Sequence, residues 1–174
     1  NIKNQTDTRD YIILLGIAIG MKYLESNKIL HGQLYPNYIY LDDNFYPIIA
    51  QYASRPYDRT DPMKPDIVMP KYVIKYSSPE DLLDGVHSYK SNVFTYSLIA
   101  YQLMTKQAPF IITNFFKHAV EISKKLRPDI SMMNNQIITG FFQNCFASEP
   151  ENRMSFDEII ELITDAKFYS YFKY

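Results

Sequence analysis

The sequence predicts a mainly α domain carrying one small β-hairpin. Three observations predict it. Two segments repeat apolar or small residues at helical spacing: Ile13, Leu14, Ile17, Met21 and Leu24 in the first, and Val93, Tyr96, Ser97, Ala100, Leu103 and Met104 in the second. Two short β-prone runs, 39–41 and 47–49, flank Asp42-Asp43-Asn44, a turn sequence. Pro56, Pro62, Pro65 and Pro70 exclude regular structure from most of the stretch between hairpin and second helix.

Size and composition bound the rest. At 174 residues one domain is expected, and 47% hydrophobic residues suffice for a core. A formal net charge of −1 argues against binding a nucleic-acid backbone. Cys145 is the sole cysteine, which excludes a disulfide framework or thiolate metal site. His31, His87 and His118 are scattered and form no ligand cluster in sequence. No signal-peptide pattern is present. These features place the chain in the cytoplasm.

In chain order, residues 1–9 read as a polar lead-in and 10–29 as the first helix. Its apolar run, 11–21, contains Gly16-x-x-x-Gly20, a pattern of membrane helix pairs. The run is far shorter than the ~20 residues of a span, and Lys22 and Glu25 follow at once. It reads as a buried soluble helix, with no membrane span. Then come His31-Gly32-Gln33-Leu34-Tyr35-Pro36-Asn37-Tyr38, the hairpin, and the proline-rich segment 54–80. Residues 88–105 form the clearest helix, with Ser88 as its N-cap. Further helices are expected over 113–126 and 135–146. Ser155 caps a last helix, with Glu158 three residues on completing a capping box. Cys145 falls on a helical apolar face and reads as core. Residues 166–174 read as a C-terminal tail.

Several stretches together resemble the eukaryotic protein kinase family. Residues 31–38 resemble its catalytic loop, H-R-D-L-x-x-x-N, with His31, Leu34 and Pro36 keeping the frame. Residues 16–24 resemble the helix that precedes that loop. Ser78-Pro79-Glu80 resembles A-P-E, and 88–97 the start of the central helix of the lower lobe. Cys145-Phe146 followed by Pro150, Arg153, Ser155 and Phe156 resembles C-W-x-x-x-P-x-x-R-P-S-F, the version typical of tyrosine and tyrosine-kinase-like branches. The resemblance runs from about residue 10 to about residue 165 and starts inside the lower lobe. It implies a kinase-like C-lobe, a helical bundle with the hairpin beside the loop. Nothing in the chain matches a Gly-rich loop or strand Lys, so the N-lobe is expected to be absent.

The resemblance also locates degenerate positions. Gln33 stands where the family has its Asp base, and Tyr38 where it has the metal-binding Asn. Gly32 replaces the Arg, and Tyr35 the Lys common in Ser/Thr-type loops. Gln51, Tyr52 and Ala53 occupy the place of D-F-G, whose Asp holds Mg²⁺. An amide and a phenol are poor substitutes for the carboxylate oxygens that a hard cation prefers. Gln33 can orient a hydroxyl but has no useful pKa for removing its proton. No functional catalytic residue is therefore expected, and no cofactor or metal. Glu80 and Arg153 match the family's ion pair at the end of the activation segment. Asn92 replaces an Asp that accepts N–H groups of the loop, keeping the oxygen without the charge.

Two readings of function follow. The first is a catalytically inactive kinase-like domain, a pseudokinase C-lobe, that binds proteins as a signalling scaffold. The alternative is a fragment of a divergent ATP-dependent protein kinase, using ATP and Mg²⁺ for phosphotransfer to Ser/Thr or Tyr. A third possibility is a remnant without function. Tyr35, Tyr38, Tyr40, Phe45, Tyr46 and Tyr52 gather where an upper lobe covers a kinase, Tyr40 resembling the position under the adenine ring and Tyr52 the D-F-G Phe. This aromatic cleft face is expected to meet a protein partner or the missing N-terminal lobe, unless its rings pack on one another and fill the cleft.

Overall fold

The computed structural model describes residues 8–32, 34–50 and 74–172. Gln33, Gln51, Tyr52 and most of the proline-rich segment, with Tyr57, Thr60 and Tyr72, lie outside the described residues. The described part is mostly helical with one two-stranded antiparallel sheet. Helix α1 spans Thr8–Ser26. A 3-10 turn, Pro36–Tyr38, leads into strands β1, Ile39–Leu41, and β2, Pro47–Ile49. Helices α2 (Pro79–Leu83), α3 (Tyr89–Thr105), α4 (Phe115–Ser123), α5 (Gln136–Cys145), α6 (Phe156–Thr164) and α7 (Ala166–Tyr169) follow.

Helix α3 is the centre. Every residue from 91 to 101 is buried, as expected of a helix surrounded on all sides. Its polar side chains are mostly satisfied locally. The Ser97 hydroxyl donates to Phe94 O at 2.6 Å and Thr105 to Tyr101 O at 2.7 Å. Tyr96 reaches across to α1 and donates to Leu14 O at 3.0 Å. Phe141, Phe142, Phe156 and Phe168 complete the aromatic core. Ser88 caps α3 and Ser155 caps α6, each in a reciprocal box with the third residue on. Cys145 is fully buried, and burial pushes its thiol far above the ordinary range.

Four helix ends differ from the sequence reading, the first being the start of α1 at Thr8, inside the stretch read as lead-in. Helix α1 stops at Ser26 rather than 29, because Lys28 turns left-handed (φ 59°) and a Schellman motif closes the end. In it Ile29 N–H bonds Leu24 O and Lys28 N–H bonds Glu25 O. Helix α4 is shorter than 113–126 for matching reasons. Asn114 caps its start, and Lys125 (φ 73°) closes its end with the same pair of bonds. Lys106 (φ 59°) ends α3. A left-handed residue with a side chain costs on the order of 1–2 kcal/mol. With five glycines in the chain, lysines take this position instead. Lys106 offsets the strain by placing its ammonium 2.6 and 2.7 Å from both oxygens of the buried Asp10 carboxylate, in the first turn of α1.

Helix α6 is not the last element. The stretch read as tail docks through α7 and a final turn, Ser170–Phe172, burying Phe168 and Phe172. Tyr11 of α1 meets Tyr169 and Phe172 edge-on at 4.6 and 5.6 Å.

The hairpin sits on α1. Its register pairs Ile39 with Ile49, Tyr40 with Ile48 and Leu41 with Pro47. Asp42 Oδ1 accepts from the N–H groups of Asn44 (2.9 Å) and Tyr46 (2.8 Å), so the turn residues act as their type predicts. A Cβ on Gly16 would stand 2.5 Å from Pro47 Cδ, and one on Gly20 2.7 Å from Ile49 Cδ1. Gly16-x-x-x-Gly20 thus serves close approach of a hairpin. No helix among the described residues is long and apolar enough to cross a membrane.

Candidate functional site

The loop between α1 and the hairpin is held from below. His31 is fully buried; burial lowers its pKa, and a hydrogen bond to the Ala50 backbone acts in the opposite sense. That bond ties the start of the loop to the end of β2. Gly32 follows with φ 70°, a backbone angle that disfavours any larger residue. Leu34 and Tyr35 are buried, with Tyr35 only 5% exposed. Tyr38 is half-buried against the core, its ring centroid 6.0 Å from that of Tyr35. Both tyrosines therefore pack inward.

The hairpin behaves differently. Tyr40 (54% exposed), Leu41, Phe45, Tyr46 and Ile48 are all exposed, while Ile39 and Ile49 pack on the core. Strand alternation explains the split: Tyr40 and Ile48 are cross-strand partners on the face turned from α1. Phe45 lies under Arg9, whose guanidinium is 5.4 Å from the ring centroid. The expected aromatic cluster is thus divided, with Tyr35 and Tyr38 inside and Tyr40, Phe45 and Tyr46 outside.

A second polar centre lies at the start of α3. Arg153 meets Glu80 through two bonds, Nη1–Oε1 at 2.5 Å and Nη2–Oε2 at 2.8 Å. The Arg153 side chain is wholly buried. It also donates to Ala147 O (3.0 Å) and Lys90 O (2.9 Å). Ser91 Oγ donates to Glu80 Oε1 at 2.9 Å. Burial pushes the Glu80 carboxyl up, but the bonds and charge of Arg153 outweigh it and hold the group below its ordinary value. Phe94 meets two guanidiniums, Arg153 at 5.0 Å and Arg127 at 5.1 Å from its centroid. Asn92 is buried on α3, and its Nδ2 has no hydrogen-bond partner among the described residues. No hydrogen bond joins its side chain to the loop among those residues.

Sequence reasoning missed three polar anchors. Asp81 receives Ser78 N–H on Oδ2 (3.1 Å), and its Oδ1 lies 2.7 Å from His87 Nδ1, in a pair that is almost entirely buried. The signal was present as Ser78-x-x-Asp81, a capping box with Asp at its third position. Arg127 bonds three backbone carbonyls, those of Phe146, Ile122 and Leu126, each at 2.8 Å. Lys106–Asp10 is the third. These two carry no local pattern, since their partners lie on distant segments or on backbone.

Among the described residues no three His, Cys, Asp or Glu side chains gather as a metal site. The residues at the kinase-like positions also fit Mg-ATP poorly by their chemistry. Tyr38 offers a neutral phenol from a half-buried ring, and Tyr35 no cation.

Comparison with known proteins agrees with this architecture. The family model for protein tyrosine and serine/threonine kinases matches residues 3–163. Serine/threonine-protein kinase STY17 of Arabidopsis thaliana is 24% identical over 87% of this chain and 26% of its own length. Dual specificity protein kinase shkB of Dictyostelium discoideum is 27% identical over 91% of the chain and 26% of its own. Fibroblast growth factor receptor 1 of Dugesia japonica is 29% identical over 87% and 18%. The chain spans about a quarter or less of the length of these relatives. It belongs to the protein tyrosine and serine/threonine kinase family.

Proposed function

We propose that the chain is a catalytically inactive C-lobe of this family, with its kinase-like part over residues 10–165, that acts in the cytoplasm as a protein-binding module. The observation that carries the reading is the inward packing of Tyr35 and Tyr38 at positions where the family directs a Lys and a metal-binding Asn toward nucleotide. Phosphoryl transfer relies on positioning and charge. Two neutral rings packed on the core supply neither. Gln33 and Gln51 offer amides where the family has carboxylates. A metal contributes several kcal/mol to such a transition state, so its loss removes most of the rate. Glu80, Arg153 and Asn92 then serve the fold alone.

The test is a melting curve under Mg-ATP. Ligand at 100 times its Kd stabilises a native state by about 2.7 kcal/mol, which at this size is a shift of several degrees. The expected result is no saturable shift up to millimolar Mg-ATP. A saturable shift overturns the proposal and favours the divergent-kinase alternative.

The binding half of the proposal rests on the hairpin. Among the described residues Tyr40, Leu41, Phe45, Tyr46 and Ile48 leave 40–58% of their surface exposed. Large exposed apolar patches usually mark interfaces, and Tyr anchors such contacts while tolerating water. A polypeptide, either a protein partner or an upper lobe of the kinase type, covers this face. Purified chain is expected to bind a hydrophobic dye or self-associate in light scattering, and a Tyr40→Ser, Tyr46→Ser double variant to lose both. A strictly monomeric chain that binds no dye refutes the interface.

A further inference from the structure

The loop after α5 exposes Ser148 beside a guanidinium that pairs with no acid among the described residues. Arg127 Nη2 lies 3.4 Å from Ser148 Oγ. Its other bonds go to backbone carbonyls, and among the described residues no carboxylate stands within ion-pair distance of it. The nearby Glu80 has both oxygens on Arg153. Among the described residues two guanidiniums therefore lie beside Phe94 and one ion-paired carboxylate. Burial, then the charge of Arg153, lowers the Arg127 pKa, while Glu80 acts in the opposite sense. Arg127 is thus a partly buried cation, a setting in which an added anion is favourable.

Ser148 is placed to carry that anion. Its residue is exposed, and the sequence that follows it is Glu149-Pro150-Glu151. Acid at the first and third following positions suits a protein kinase with a basic substrate groove. Ser155, the next serine, has its hydroxyl engaged as the cap of α6 and hydrogen-bonded to Glu158.

We propose that Ser148 is a phosphorylation site for a separate, acid-directed protein kinase, and that its phosphate docks on Arg127. In the transfer, Ser148 Oγ bonds to the γ-phosphorus of a nucleoside triphosphate. The bond to the β-phosphate bridging oxygen breaks, nucleoside diphosphate leaves, and the hydroxyl proton passes to the modifying enzyme's base. The product carries nearly two negative charges and three acceptor oxygens. With Nε and Nη1 held by backbone carbonyls, the Nη2 hydrogens of Arg127 face such a group, in charge-assisted bonds. Glu149 and Glu151 oppose the added charge, and because both are exposed the surrounding water weakens that repulsion. Arg153 Nη2 also donates to Ser148 O at 3.4 Å, so the docked phosphate tightens the segment that holds the Glu80–Arg153 pair.

The full chain is treated with an acid-directed protein kinase and ATP, and the site is located by mass spectrometry. Phosphate is expected on Ser148. Its second pKa, read by phosphorus NMR, is expected roughly half a unit to one unit below the ordinary value near 6. The melting temperature should rise by roughly 3 °C or more over the unmodified chain. Both effects should vanish in Arg127→Gln and shrink in Arg127→Lys, which keeps the charge but loses the Nη2 group held toward Ser148. Should Arg127→Gln fail to fold, Arg127→Lys carries the comparison. Ser148 left unmodified after exhaustive treatment overturns the proposal. So does phosphoserine with an unshifted pKa, or stabilisation that persists undiminished in the Arg127 variants.

Discussion

Replacing Arg153 with Met is expected to lower stability by roughly 3–5 kcal/mol, because it strands the Glu80 carboxylate in a buried site. For a chain of this size that corresponds to a melting temperature lower by roughly 6–20 °C. The loss exceeds one ion pair. Arg153 also bonds Ala147 O and Lys90 O and lies on Phe94, so the residue joins the start of α2, the start of α3 and the loop after α5. Removing both partners, Glu80→Met with Arg153→Met, is expected to cost less than the sum of the single changes, since no charge is then left unpaired. Denaturant melts of the four proteins measure this. A single Arg153→Met cost of a few tenths refutes the pair's structural weight. The acid side follows with its sign. Glu80 titrates below its unfolded value, so its stabilisation is present above that value and fades as the pH falls through the folded one.

The second large effect concerns two glycines that look alike in sequence. Gly16→Ala places a methyl 2.5 and 2.6 Å from Cδ and Cγ of Pro47, a ring that cannot rotate away. Overpacking of this kind costs roughly 1–3 kcal/mol, which outweighs the ~1 kcal/mol that alanine gains over glycine in a helix. Gly20→Ala meets only the tip of Ile49, which can change rotamer, so it is expected to be neutral or mildly stabilising. Gly16→Val should go further and loosen the hairpin from α1, seen as faster hydrogen exchange of the Asp42 amide, which bonds Tyr46 O. Equal effects at the two glycines contradict this account.

These cases show what the sequence could express. Helix caps were legible because Ser88 and Ser155 act within three residues of themselves. The turn at Asp42 was legible for the same reason. The helix ends at Lys28 and Lys125 were not, because the usual mark of a left-handed stop is glycine and here it is lysine. Pairs such as Lys106–Asp10 span 96 positions and leave no periodic trace. Glu80 and Arg153, 73 positions apart, could be linked only through the order of family motifs. At the loop, residue types indicated lost chemistry but not direction. That Tyr35 turns inward while Tyr40 turns out follows from the 3-10 turn and the strand alternation after it.

The first helix is completed by the last ones. Helix α1 rests on α6, and Lys22 pairs with Asp157 across that contact. Tyr11 closes against Tyr169 and Phe172. Synthesis at roughly 5–20 residues per second puts α6 about 7–30 s behind α1. Throughout that interval the side of α1 that carries Tyr11 and Lys22 lacks this cover. Non-local closure of this kind slows folding and lengthens exposure to aggregation. A chain that stops before residue 156 therefore leaves that side of its first helix uncovered, although α3 and the hairpin already rest on the helix.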